Sequence, residues 1–594
     1  MNDNDAVADR FEEFADRLEA TGVEYKPQSY RRAAENVRAH PKSVESLVDD
    51  GKEAVQGIEG VGDALAAKIV EYVETSEIEE LEELRDELPV EMAALTRVEG
   101  VGPKTVGTLY EELGVEDLDD LEAAAREERI QEIDGFGAKT EENILSGIDF
   151  ARQAGERSLL GDARPLGAEL KHYIGKSEAV TDAEIAGSLR RWRETIGDVD
   201  LLVASDEPET VIERFTNWDD RNEIIEAGSS KASIRSEGMR VDLRVVVPEE
   251  FGSALQYFSG SRDHNIGFRN RAIEQGLKVN EYGVFDVSEQ RSDGSSDTSD
   301  DVSDVDDIEA DQRVGERIAG DTEDGMYDAV GLPWIPPELR EDGGELAAAA
   351  DGDLPDLLAE EDVRGDLHVH SEWSDGDNTI AEMVTAAAEF GHEYLAITDH
   401  ASGPGIVADM GLDDADLASQ REAIESAAEN THIEVLAGVE ANIEADGRLS
   451  VGENVLEELD VVVASPHNGL DGDGTERIVS AIEQPHVDII GHPTGRYLNQ
   501  RTGLELDFER IAEAAAEYGV ALEVNANPRR LDLSGGAVRT AIEAGATIVI
   551  DTDAHQPASY DLLQYGVHTA RRGWAEAGDV LNTRDYDGLR KFLG

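Results

Sequence analysis

Asp198 and Asp200 stand two residues apart in GDVDLLVAS, and a third acid, Asp242, lies in the apolar run MRVDLRVVVP. Residues two apart on a strand share a face, so if the two runs are neighbours in one sheet, three carboxylates meet there. Their mutual repulsion calls for cations. Two Mg2+ or Mn2+ ions about 4 Å apart would serve, one activating a hydroxyl nucleophile and the other holding a triphosphate and its leaving pyrophosphate. Upstream, Gly187 and Ser188 open a turn towards Arg190 and Arg191, which would set backbone amides, a hydroxyl and a guanidinium on the β and γ phosphates. In so acidic a chain a lone Asp-x-Asp is ordinary surface, and its weight comes from the surrounding string.

A second constellation begins at GDLHVHSEWSDG, where His368 and His370 alternate and so share a face. Asp375, His400, Glu440, His467, His492, Asp553 and His555 follow, nearly all at the end of a short apolar run. The chain has no cysteine, so any metal must sit on His, Asp or Glu. These nine side chains suffice for two or three ions, and imidazole with carboxylate donors suits Mn2+ or Zn2+. Arg496, after HPTG, is a candidate phosphate clamp, whereas His392, His432, His486 and His568 fall outside the motifs and read as packing or surface residues.

Positioning these groups takes three textures of chain. Up to about residue 148 the apolar spacing, as in FEEFADRL and YRRAAENV, predicts short helices broken by glycine turns. One unit recurs three times there: GIEGVGDALAAKI, RVEGVGPKTVGTL and EIDGFGAKTEENI. Its paired glycines, Gly60 and Gly62, Gly100 and Gly102, Gly135 and Gly137, allow a tight hairpin that leaves N–H groups at the start of the next helix, where a phosphate can sit; Lys104 stands beside the second pair. From about 166 to 285, strand-rich stretches alternate with helices. From Arg364 onwards short apolar strands alternate with amphipathic helices, the rhythm of a barrel or layered α/β domain whose strand ends converge on a site.

The three hairpin units resemble helix-hairpin-helix motifs, which implies sequence-independent binding of a nucleic-acid backbone. The string from Gly187 to Asp200 resembles the nucleotidyltransferase signature, specifically that of family X DNA polymerases. ALQYFSGSRDHNIGFRNRAIEQGLKVNEYGVF is similar to the stretch of that family that closes on the incoming nucleotide. The resemblance implies that Tyr257 and Phe258 pack against its sugar, that Gly260 lets the backbone approach, that Asn265 meets the base edge and that Arg269 checks the template side. GLPWIPPELRE matches the end of the polymerase core. The first eighth of the chain resembles the small domain that, in animal members, removes deoxyribose phosphate through a lysine Schiff base. Lys68 takes the matching place, with Tyr30 and Arg31 the remaining matches; the other lysines of that site are not evident.

The order of motifs after Asp366 resembles the PHP phosphoesterases, which implies a distorted seven-stranded barrel, a trinuclear site and in-line attack on phosphorus by a metal-activated water. The expected architecture is therefore multidomain α+β and α/β: a helical helix-hairpin-helix region, a nucleotidyltransferase palm with thumb, and a C-terminal (β/α)7 PHP barrel. The expected boundaries are 1–90 for the first helix-hairpin-helix, 91–155 for the next two, 156–341 for palm and thumb with an acidic insertion at 288–311, 342–361 for a linker, and 362–594 for the PHP domain. Gapped or nicked DNA and dNTPs are the expected partners, with polymerisation and 3′–5′ exonuclease the expected activities. A PHP phosphatase of small esters with a non-catalytic upstream half is the alternative. It predicts a decayed palm, yet Asp198, Asp200, Asp242, Ser188 and Arg191 are all present. A non-catalytic DNA-end scaffold fails on the same residues, and an RNA end-adding transferase would not explain YFSGS or the hairpin repeats.

Composition bounds the setting. Asp and Glu number 133 against 52 Lys and Arg, a formal net charge of −81, while 40% of residues are hydrophobic. The apolar share argues for folded domains; the acidity suits a salt-rich cytoplasm, where a Debye length of about 3 Å at molar salt screens the self-repulsion. No run approaches a membrane span, so a soluble chain is expected, and with no oligomer signal in the sequence a monomer is the default expectation.

Overall fold

The computed structural model describes every residue except 1–2, 24–25, 40–41, 59, 76–77, 99, 134, 156, 289–312, 404, 407–409 and 430. The expected acidic insertion lies, but for Ser288, outside the described residues. The chain divides into two compact units, one of residues 1–157 with 497–502, the other of 158–496 with 503–594. Among the described residues no helix is long and apolar enough to cross a membrane.

The first unit is helical. Phe11, Phe14, Tyr30, Val37, Leu65 and Ile69 fill one core, and Leu95, Val106, Leu109, Leu121, Ile144 and Ile148 a second. The helix Pro103–Leu113 approaches Asp3–Ala20 so closely that a Cβ on Gly107 would lie 2.2 Å from the Ala20 carbonyl oxygen.

In the second unit, strands β1 (Asp182–Ile185), β2 (Val199–Ala204), β3 (Arg221–Ala227), β4 (Lys231–Ser236) and β5 (Met239–Val246) form one sheet in the order β1-β2-β5-β4-β3. Only β2 and β5 run parallel, and their register sets Asp200 opposite Asp242. Beyond Asp200 strand β2 is buried, as a central strand should be. The helix Leu160–Gly175 lies close by, with Gly167 facing Leu189 and Val199, and Leu202 and Ala204 pack with Phe251, Ala254 and Leu255. Strand β5 alternates: Met239, Val241, Leu243 and Val245 point inwards, leaving Arg240, Asp242 and Arg244 on the opposite face.

A three-stranded sheet of β6 (Leu277–Asn280), β7 (Gly283–Asp286) and β8 (Glu316–Ala319) follows, with a core of Phe268, Met326, Tyr327, Ile335 and Leu339. The stretch 342–361, expected as a linker, is folded. Glu345 starts a helix to Asp351 and, fully buried, pairs with His264 Nδ1 at 2.6 Å, while Leu358 is fully buried in the core of the C-terminal barrel. Its acids and alanines hid the few apolar anchors, Leu346, Ala349 and Leu358, that hold it down.

Seven parallel strands then follow in sequence order, β9 (Gly365–Val369), β10 (Tyr394–Ile397), β11 (Glu434–Asn442), β12 (Val461–Ser465), β13 (Ile489–Ile490), β14 (Ala521–Asn525) and β15 (Ile548–Asp551). A bridge between Val369 and Ala554 brings the last back to the first. Leu367, Ala396, Leu436, Val463, Ile489, Ala521 and Val549, one from each strand, fill a common core. Residues of the other parity, such as Leu522, Val524, Ile548 and Ile550, pack in a second cluster with helical Ile511, Val538 and Val567.

Candidate active sites

On one face of the first sheet, ligand atoms of Asp198, Asp200 and Asp242 lie within 4.8 Å of one another. Burial, then the charges of Asp198 and Asp242, push Asp200 up to about 7. Arg240 pairs with Asp242 at 2.8 Å, so one of the three acids has a protein cation of its own. The turn before β2 is shaped around these acids: Gly187 takes φ +62°, and a Cβ on it would lie 2.0 Å from Asp200 Oδ2. Only glycine allows the turn to approach the carboxylate this closely.

Of the residues expected to meet a nucleotide, Arg191 and Asn265 have their polar groups engaged within the protein. Arg191 donates from Nε to Glu341 at 3.0 Å and from Nη1 to the Ser259 carbonyl. Gly260 follows with φ +68°, and a Cβ there would meet Arg191 Nη1 at 3.1 Å. Tyr257 and Phe258 pack edge to face, and the Arg244 guanidinium lies 4.1 Å from the Phe258 ring centre. Asn265 donates to the Tyr257 carbonyl at 2.7 Å and accepts from Gln256 at 2.9 Å. Ser188 and Arg269 are half-buried.

In the barrel, all nine expected metal ligands collect at the C-terminal strand ends. Three groups have ligand atoms within 4.8 Å of each other: His370, Asp375, His400 and His555; His368, His370 and Asp553; His400, Glu440 and His467. His492 joins through Nε2, which lies 3.0 Å from Glu440 Oε1. Glu440 is the hub, fully buried with five imidazoles about it. His400 Nδ1 lies 2.7 Å from it, although not in hydrogen-bonding geometry, and His467, His368 and His370 lie at 3.2, 3.4 and 3.6 Å. Burial would raise Glu440, but His400, His467 and His368 hold it well below the usual carboxylate range. Asp375 and Asp553 are likewise held low by imidazoles against the effect of burial.

Buried atoms left without a hydrogen bond point to what this cluster is for. They include Nε2 of His368, both ring nitrogens of His370, Oε2 of Glu440 and Nε2 of His467. Such atoms are costly to bury unpaired. Converging lone pairs on imidazole and carboxylate are what divalent ions take, so the residues fit the expected metals.

In the first unit the three hairpins repeat one geometry. Val61, Val101 and Phe136 donate to the carbonyls of Ile58, Val98 and Ile133 at 3.1, 2.9 and 3.1 Å, and the carbonyls of Gly62, Gly102 and Gly137 accept from Ala66, Val106 and Glu141. Gly60, Gly100 and Gly135 all have positive φ, and a Cβ on Gly62, Gly102 or Gly137 would meet nothing. Lys104 is three-quarters exposed. Lys68 is only 12% exposed, pairs with Glu80 and lies 5.0 Å from the Phe14 ring centre. Tyr30 stacks on Phe14, and Arg31 pairs with Asp16 and Glu19.

Comparison with known proteins agrees with this layout. Family profiles match for the helix-hairpin-helix domain over residues 2–78, a SAM-like helix-hairpin-helix tandem over 92–149, the DNA polymerase beta thumb over 254–341 and the PHP domain over 366–527. The DNA polymerase/3′–5′ exonuclease PolX of Bacillus subtilis is 35% identical over 96% of this chain and 95% of its own length. The chain belongs to the PolX family. Probable phosphatases of Caldanaerobacter subterraneus and a Thermoanaerobacter species are 34% and 30% identical over 32% and 38% of this chain, and over 75% and 93% of their own lengths.

Within this PolX chain the structure adds residues that motif reading missed. Glu523 is fully buried; it pairs with His368 Nδ1 at 2.6 Å and accepts from the His492 amide, orienting two ligands. Asn442 receives His467 Nδ1 at 2.6 Å, and Asn525 donates to Asp553 at 3.1 Å. A cation beside the cluster is Arg530, 3.6 Å from Asp553. Arg496, expected as the clamp, instead donates to the Arg530 and Leu531 carbonyls and pairs with Glu194 at 2.8 Å. Its fork is spent on tying the barrel to the palm. A charged residue inside the apolar run ALEVNAN was the available signal for Glu523.

Proposed function

We propose that this PolX chain fills short gaps in DNA during repair and, at its PHP site, shortens 3′ ends that are mismatched or blocked. The observation that carries the reading is that one chain holds two separate, fully furnished clusters of metal ligands, three carboxylates on the palm and nine side chains in the barrel. A decayed palm beside an intact barrel would have favoured the phosphatase reading.

When bound, divalent ions supply charge neutralisation and Lewis acidity for in-line displacement at phosphorus. Asp198, Asp200 and Asp242 would hold Mg2+ or Mn2+, and the barrel residues two or three Mn2+ or Zn2+. The protein does the positioning. The Gly187-Ser188 turn and Arg191 receive the triphosphate; Tyr257, Phe258, Asn265 and Arg269 place the nucleotide. In the barrel, Glu523 and Asn442 fix the rings of His368 and His467, and Arg530 offers its charge to a phosphate oxygen. The hairpin glycines hold the DNA backbone without reading its bases. The net charge of −81 supports work in a salt-rich cytoplasm.

One experiment tests both halves: a 5′-labelled primer on a gapped template in molar KCl with Mn2+, with and without dNTPs, for wild type, Asp242→Ala and His370→Ala. Asp242→Ala should lose extension alone and His370→Ala shortening alone. A wild type that does neither yet hydrolyses small phosphate esters would replace this reading with the phosphatase one.

A further inference from the structure

The segment that follows the Gly187-Ser188 turn is gripped from two sides. Trp192 holds φ +55°, a left-handed conformation that a bulky residue keeps only where its surroundings over-determine it. Those surroundings are the Arg164 guanidinium of the palm, 3.7 Å from its ring centre, and the His568 ring of the barrel, stacked at 3.5 Å. Two residues on, Glu194 pairs with barrel Arg496.

The tightest link is at Arg191. Arg572, last residue of the barrel helix Leu563–Arg572, donates from Nη1 to the Arg191 carbonyl at 2.7 Å and to Glu341 Oε1 at 3.2 Å. The same Glu341 oxygen receives Arg191 Nε. Arg193 approaches the other oxygen at 3.3 Å. Arg572 is therefore joined to Arg191 twice, directly at its backbone and through Glu341 at its guanidinium. Burial would raise Glu341, but Arg191, Arg572 and Arg193 hold it below the usual carboxylate value.

We propose that Arg572, though part of the PHP barrel, is a positioning residue for polymerisation: it sets where Arg191 stands and hence how tightly the incoming dNTP is held. The proposal rests on the reading of Arg191 as a triphosphate contact. Arg572 belongs to none of the barrel's ligand groups, so its loss should spare 3′ shortening.

The test measures dNTP KM and kcat on a one-nucleotide gap, together with the shortening rate, for the full chain. Arg572→Ala should raise KM roughly tenfold, the order expected when hydrogen bonds to a charged group are lost, with kcat and shortening little changed. Arg572→Lys, which restores one donor, should fall between. Arg191→Ala should raise KM at least as far, and adding Arg572→Ala to it should do no more. If Arg191→Ala raises KM but Arg572→Ala does not, the coupling is overturned while the triphosphate reading stands. If Arg191→Ala leaves KM unchanged, that reading falls first. A parallel loss of kcat, shortening and thermal stability in Arg572→Ala and Arg572→Lys would reduce Arg572 to a packing residue.

Discussion

A Cβ on Gly187 would overlap the Asp200 carboxylate, at 2.0 Å from Oδ2. The backbone turn and the acid therefore occupy one fixed geometry. Gly187→Ala must move one of them, and a displacement of about 1 Å in a reacting group costs on the order of 100-fold in rate. Primer extension should fall by roughly that factor. Shortening of the same primer should not change, and equal loss of both would refute a local effect.

Glu523 touches no expected metal directly but orients His368 and the His492 backbone. Glu523→Gln should slow 3′ shortening by about 10- to 100-fold, the usual effect of removing such a partner. Raising Mn2+ should recover part of the loss. Extension assays on the same preparation serve as the control.

How much of this was legible beforehand follows from distance along the chain. The palm acids and barrel ligands were readable because nearly all lie in or just beyond the end of a short apolar strand, and strand ends announce themselves locally. Glu523 was missed because it sits mid-strand and looks like any other acid in a chain with 133 of them. The pairing of Arg572 with Glu341 spans 231 residues and leaves no local mark. The folding of 342–361 was hidden because a few anchors suffice to pin a segment whose composition is otherwise that of a spacer.

Glu338 offers a pH test away from both ligand clusters. Burial alone would raise it, but His568 and Arg571 bring it to about 2, below the ordinary value of 4.5. A depressed carboxylate contributes stability that is complete above its unfolded value and is lost as pH falls towards the folded one. The shift corresponds to something on the order of 3 kcal/mol. The gap in thermal midpoint between wild type and Glu338→Gln should narrow as pH falls below about 4.5. A gap that still widens below that pH would contradict the assignment.

Salt should act on the surface charge. The Debye length shortens from about 10 Å at 0.1 M to about 3 Å at 1 M, so KCl should raise the thermal midpoint across that range. Sodium chloride should do nearly the same. A midpoint indifferent to either salt would mean that the −81 formal charge is already neutralised by its own ion pairs.

The stretch from Asp342 to Glu361 also bears on inheritance. Glu345 is sealed against His264 in the thumb, whereas Leu358 is sunk in the barrel and its amide bonds to the Ala575 carbonyl. A cut at the exposed residues 351–353 would leave each anchor with its own domain, yet separating the halves would still strip Glu338 of His568 and Arg571, and Glu341 of Arg572. A lineage that discarded either activity would have to rebuild the exposed face of the other, so loss by simple truncation is closed to it. The two functions are expected to be kept together, or silenced by point changes at their ligands while the scaffold stays whole.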